Sequence, residues 1–182
     1  RFAVDSLLAD NIKWTLNYQI AKTDQRTEEI YAPSRTVLRN RDTTYKDRQW
    51  VFDAQADKAF GIADTDHVIT YGTTIKQDKV TGLRTGSGTC LTVAGACRVM
   101  GAASAADTLT PASDFPDPTI NTYSLFAQDQ IAWNNWTFVP GLRYDYTQLK
   151  PHVTQEFLAT ADQSGNGEVN EDNKTWHRLS PK

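Results

Sequence analysis

Between Trp14 and Ile20 every even position is apolar and every odd one polar: Trp14, Leu16, Tyr18 and Ile20 alternate with Thr15, Asn17 and Gln19. Successive side chains of a strand point to opposite faces, so such a segment has one apolar face and one wet face. The pattern returns at Gln49–Ala56, where Trp50, Phe52, Ala54 and Ala56 take the even places. It returns again from Trp136 to Thr147, with Trp136, Phe138, Pro140, Leu142, Tyr144 and Tyr146 on one side. Tyr123, Leu125, Ala127, Ile131 and Trp133 do the same on odd positions; Asp129 breaks the rule, and Phe126 falls on the opposite face. Period two excludes a helical globule.

Composition narrows the choice further. In 182 residues the chain holds 19 Lys+Arg and 22 Asp+Glu, a net charge of −3, too small to steer nucleic acid. No run approaches the ~18 apolar residues of a membrane helix. The start, Arg1-Phe2-Ala3-Val4-Asp5, lacks the basic and apolar regions of a signal peptide. Two cysteines and three histidines are too few for a disulfide scaffold or a Cys/His zinc centre. Aromatics make up 10% of the chain, five of them Trp, although the mean hydropathy is −0.55. Apolar surface is therefore dispersed, one residue at a time.

Connections alternate in length. Ala9–Asn11, Gly61–Asp66 and Asn134–Asn135 are short, whereas Ile30–Asp42, Lys79–Pro118 and Lys150–Asn173 are long and polar. Antiparallel strands joined in this order put all tight turns at one end and all long loops at the other, as outer-membrane barrels do. Strands at Ile12–Glu29, Thr43–Phe60 and Asn121–Trp133 exceed the ~9–11 residues needed to cross a bilayer. Phe60, Trp133 and Trp136 beside the short turns, with Trp14 nearby, suit an interfacial aromatic girdle. The sequence predicts about seven strand segments: Arg1–Leu8, Ile12–Glu29, Thr43–Phe60, Asp66–Lys79, Thr119–Trp133, Trp136–Leu149 and Lys174–Lys182. Such barrels have an even strand count, and the first and last segments are cut short. The expectation is an all-β antiparallel transmembrane barrel, of which residues 1–182 are one part, with any plug and the other strands outside this chain. A soluble β-sandwich alternates too. The loop asymmetry and strand lengths favour the barrel.

Tyr123-Ser124-Leu125-Phe126-Ala127-Gln128-Asp129, a tight turn, and Pro140-Gly141-Leu142-Arg143-Tyr144-Asp145 resemble the mid-barrel hairpin of TonB-dependent outer-membrane receptors. Three further segments are similar to the haem and haemoglobin receptor branch of that family: His67–Gly72, Phe115–Pro118 and Arg178–Lys182. The resemblance implies a Gram-negative outer-membrane location and a transporter, not an enzyme. It further implies import of iron as haem, or from a haem-carrying protein, driven by the TonB complex through a plug. Haem is then cargo and not a prosthetic group. A ferric-siderophore receptor is the alternative within transport, and a soluble β-rich binding or adhesion module the alternative outside it.

Candidate sites follow. Haem iron is held by His or Tyr, and His152, where a strand enters a long loop, is the first candidate; Tyr146 is the second, though its place on the apolar face suits a girdle. His67 lies by a periplasmic turn, and nothing marks out His177. Cys90 and Cys97, with six residues between them, are expected to form a disulfide at an oxidising cell surface. Closing that ring constrains the unfolded chain by on the order of 2.5 kcal/mol. Asp162, Ser164 and Asn166 resemble half of a calcium loop, but Asn173 stands where a bidentate Glu is needed. Arg143, Asp145, Asp53, Gln55 and Asp57 are expected to line the lumen. No P-loop, nucleophile elbow or dinucleotide fingerprint is present, so no catalytic residue is assigned.

Overall fold

In the computed structural model, residues 2–4, 6–30, 37–90, 111–158 and 172–181 are described. They form eight strands: β1 Phe2–Ala3, β2 Asn11–Ile30, β3 Val37–Ile62, β4 Thr65–Cys90, β5 Asp117–Trp133, β6 Trp136–Phe138, β7 Gly141–His152 and β8 Lys174–Pro181. All belong to one antiparallel sheet in which each strand pairs with its sequence neighbour, β6 and β7 both lying along β5. This is an all-β meander, and its strands are those of a partial barrel. The only helix among the described residues is the single turn 155–158, capped where Thr154 Oγ1 accepts the Phe157 N–H at 3.2 Å.

The expected strands are present, and four boundaries differ. Val37–Asp42 and Lys79–Cys90, read as loop, extend β3 and β4 to 26 residues each. Their few apolar residues, Val37, Leu38, Val80 and Leu83, do not alternate with polar ones, so the sequence shows no period of two; the continuous ladder from Val37↔Cys90 to Ile62↔Thr65 holds them. Trp136–Leu149 is two strands because Pro140 has no N–H to offer the ladder. The register nevertheless passes through the break unchanged, from Ile131↔Phe138 to Gln128↔Gly141. Arg1–Leu8 contributes only Phe2–Ala3, since residues 6–9 turn away: the Ala9 N–H bonds to Ser6 Oγ at 3.0 Å, and Tyr71 Oη donates to the Leu8 carbonyl at 2.9 Å. The turn Asn134–Asn135 is as tight as expected, with Asn134 at φ 52°, a conformation Asn tolerates better than most residues.

Register sorts the side chains into rows. One face carries Leu16, Phe52, Ile75, Tyr123, Tyr146 and His177 in one row, and Trp14, Ala54, Thr73, Leu125, Tyr144 and Leu179 in the next. Among the described residues no second layer covers this face: Trp14 is 53% exposed, Leu16 57% and Leu125 61%. A sandwich would bury them. The opposite face carries the polar row Thr15, Asp53, Thr74, Ser124, Asp145 and Arg178.

The apolar band runs obliquely across these rows. On β2 it covers Ile12 to Ile20, whose row also holds Arg48, Lys79, Thr119 and Lys150. On β5 it runs from Tyr123, two same-face rows lower, down to Trp133, beyond the row of Ile12. Both edges thus slide the same way, by about five residues or ~17 Å over three strand spacings of ~4.8 Å. That slope, about 50°, is a little above the ~35–45° at which barrel strands tilt. Ten residues from Tyr123 to Trp133 span ~33 Å along the strand, hence ~24 Å of height at that tilt, the thickness of a barrel's apolar band.

Candidate functional site

The polar face is a wall of paired acceptors and donors. Thr74 Oγ1 donates to Asp53 at 2.7 Å, Thr70 Oγ1 and Gln55 Nε2 donate to Asp57 at 2.9 and 3.1 Å, and Gln49 Nε2 donates to Asp78 at 2.8 Å. Lys76 Nζ lies 3.0 Å from the same Asp78 carboxylate. Across β5 and β7, Arg143 Nε donates to Asp145 and its Nη2 to Ser124 Oγ, each at 2.9 Å, while Ser124 Oγ donates to Asp145. Ser124 is buried at 1% exposure, while the Arg143 and Asp145 side chains keep contact with solvent. Arg143, Asp145, Asp53, Gln55 and Asp57 all stand on this one face and hydrogen-bond within it. Asp47 Oδ1, on the same side of β3, is buried without a hydrogen-bond partner among the described residues.

Phe126 also lies on this face. Its ring covers Gly72, where a Cβ would stand 2.9 Å from the ring and would collide with the Ala54 carbonyl. The other exception to the alternation, Asp129, faces outward, and its Oδ2 lies 2.8 Å from His67 Nδ1. His67 Nε2 in turn lies 2.9 Å from Thr65 Oγ1, and Phe60 stacks on the imidazole at 5.1 Å. Each exception is explained by a neighbouring strand.

Above the apolar band, the segment before β5 folds back onto the polar face. Ala112 exchanges both backbone bonds with Arg84, and Arg84 Nη1 lies 2.9 Å from Asp114. Phe115 stacks on Tyr45 at 6.3 Å and covers Gly82, where a Cβ would meet the ring at 2.8 Å. Ser113 is buried, with its N–H on the Glu156 carbonyl and its Oγ donating to the Phe115 carbonyl. Burial raises the Asp117 carboxyl above its ordinary range and nearby Glu156 adds to the rise, against an opposing Gly82 backbone bond. Nothing in the alternation marks Ser113 or Ser124 as buried, or Phe115 as packed on a glycine. The one available signal was a glycine facing an aromatic across a strand pair, readable only once register is known.

The candidate ligands do not converge. His152 stands opposite Asp117 in the register, with Nε2 3.1 Å from Thr119 Oγ1. Tyr146 is on the outward face, its ring 6.2 Å from Tyr123 and 5.2 Å from His177. Both alternate with Arg143 and Asp145 along β7, so they are on the side away from the polar wall. His177 Nδ1 lies 2.7 Å from Tyr144 Oη, also outside. Cys90 ends β4, but its expected partner Cys97, like the Asp162, Ser164 and Asn166 cluster, lies outside the described residues. Among the described residues, no group of three or more His, Cys, Asp and Glu is placed to hold a metal.

A family model described as "TonB dependent receptor-like, beta-barrel" matches residues 1–182. No curated protein matches the chain. Among solved structures, the ferric citrate transporter FecA in its unliganded form is similar at 12% identity, with a TM-score of 0.41. The match covers 92% of this chain and 24% of that one, so the chain spans about a quarter of its length.

Proposed function

Because this chain belongs to the TonB-dependent receptor β-barrel family, we propose that it is a stretch of barrel wall through which an iron complex, haem in particular, is imported across the bacterial outer membrane. The observation that carries the transport reading is the oblique apolar band. One face is built for hydrocarbon at the tilt of a spanning barrel, and the other is a hydrogen-bonded polar surface for a lumen. In hydrocarbon every backbone donor and acceptor needs a partner, so the remaining strands of the closed barrel belong to the rest of the receptor. Capture falls to the long connections at the outer end, energy to the TonB complex acting through a plug.

Haem as cargo is supported by the segments His67–Gly72, Phe115–Pro118 and Arg178–Lys182. The wall itself gives a ferric siderophore equal support, because neither His152 nor Tyr146 faces the lumen. Growth of a strain whose only iron route is the intact receptor separates them. Growth on haem, lost when TonB is deleted, is expected. Growth on a ferric siderophore alone would transfer the role to the alternative, and growth without TonB would overturn the transport reading. Haem titration of the receptor should leave the Soret band of His152→Ala unchanged; a collapsed band would make His152 an iron ligand.

A further inference from the structure

Near the end of the sheet that bears the short turns, the outward face is not uniformly flat. Ala54 and Ala56 form the floor of a groove between Ile12 on one side and Tyr71 and Leu125 on the other, and Leu8 closes it from the turn. Its volume is about 620 Å³, within the roughly 300–1,000 Å³ of sites that hold small molecules. The groove exists because β3 places two alanines where its neighbours carry Trp14, Ile12 and Tyr71, and because residues 6–9 fold outward and are tied to Tyr71.

The next row toward the turns is ionic. Lys58 and Asp129 share it with Ile69. Lys58 Nζ lies 2.6 Å from Asp10 Oδ1 and donates to the Ser6 carbonyl at 2.9 Å. Asp10 Oδ2 accepts the Ala59 N–H at 2.8 Å, and that bond, followed by Lys58, holds the Asp10 carboxyl below its ordinary range. The row therefore holds two carboxylates against one lysine ammonium, with His67 hydrogen-bonded to the second carboxylate. A charged fringe at the mouth of an apolar groove, at the depth where hydrocarbon gives way to headgroups, has the chemistry of an amphiphile with one chain and one polar end.

We propose that this groove binds an acyl chain of a phospholipid in the periplasmic leaflet, with an ammonium-bearing headgroup such as ethanolamine at the Asp10–Lys58 edge. Excess carboxylate favours that headgroup over an anionic glycerol one. The site rests on the outer-membrane placement of the sheet, and its test can fail without that placement failing.

The intact receptor, purified in detergent, is exposed to an equimolar mixture of phosphatidylethanolamine and phosphatidylglycerol and examined by native mass spectrometry. Retention of one phosphatidylethanolamine in several-fold excess over phosphatidylglycerol is expected. The double variant Ala54→Phe, Ala56→Phe fills the groove and should remove that adduct. Asp10→Asn keeps the groove open and should shrink the headgroup preference at least twofold; it also serves if the phenylalanine variant does not fold. Equal retention of the two lipids, or an adduct that survives the filled groove, would overturn the proposal while leaving the barrel intact. A receptor soluble without detergent would overturn both.

Discussion

At the scale of single residues, the wall is held by groups whose partners lie on another strand. Buried Ser124 donates to Asp145 and accepts from Arg143, whose side chains reach solvent. Ser124→Ala removes one hydrogen bond from each of these charged groups, which water can replace, and should cost roughly 0.5–1.5 kcal/mol in urea unfolding of the receptor in lipid vesicles. Gly72 is constrained differently: a side chain there meets the Ala54 carbonyl as well as Phe126. Gly72→Ala should therefore destabilise by about 1–3 kcal/mol through overpacking. Combining it with Phe126→Ala should recover only part of the loss, because the backbone clash remains; full recovery in the same unfolding assay would refute this account. The sequence marked Phe126 and Asp129 as breaks in the alternation. It could not say why, since the causes, Gly72 and His67, are 54 and 62 positions away along the chain and adjacent only through the β4–β5 register.

At the scale of elements, what could be read in advance followed the solvent. Where β2, β3, β5 and β7 pass lipid on one side and a lumen on the other, the two environments impress a period of two, and the strands were legible. Where β3 and β4 continue beyond the apolar band, only the ladder persists, and Val37–Asp42 and Lys79–Cys90 read as loop. The candidate iron ligands failed to converge for a related reason: chain position showed His152 near a loop, but the face it takes depends on its parity with Arg143 and Asp145. Two carboxyls in the outer region give opposite pH responses. Asp24 is held below its ordinary range by hydrogen bonds from Lys22 and then Thr44, so its stabilising contribution is present above the unfolded value of ~3.9 and disappears as pH falls through the lower folded value. Asp117 is raised by burial; ionising it opposes folding, and stability is lost as pH rises through its folded value. Asp117→Asn should thus tighten the segment that returns onto Gly82, seen at neutral pH as slower hydrogen exchange at the Arg84 and Ala112 amides. Unchanged exchange would mean the half-buried carboxyl carries no strain there.

At the scale of the whole molecule, the two faces answer to different solvents, and paired substitutions can tell them apart. Leu16→Arg puts a cation on the lipid side at the middle of the β2 band and should cost about 2–4 kcal/mol near the bilayer midplane. Asn17→Arg on the polar side should cost well under half of that; equal penalties in vesicle unfolding would mean the assignment of faces is wrong. Height matters as well. The 26 residues of β3 measure ~86 Å along the strand, or ~60 Å at a 45° tilt, against ~25 Å of apolar band. Some ~35 Å of laddered β3 therefore stands clear of the hydrocarbon, with β2 and β4 bonded along its two edges. What meets the medium first is thus a stiff palisade, and a spin label at Thr44 should tumble with the embedded body of the receptor, its nanosecond wobble suppressed.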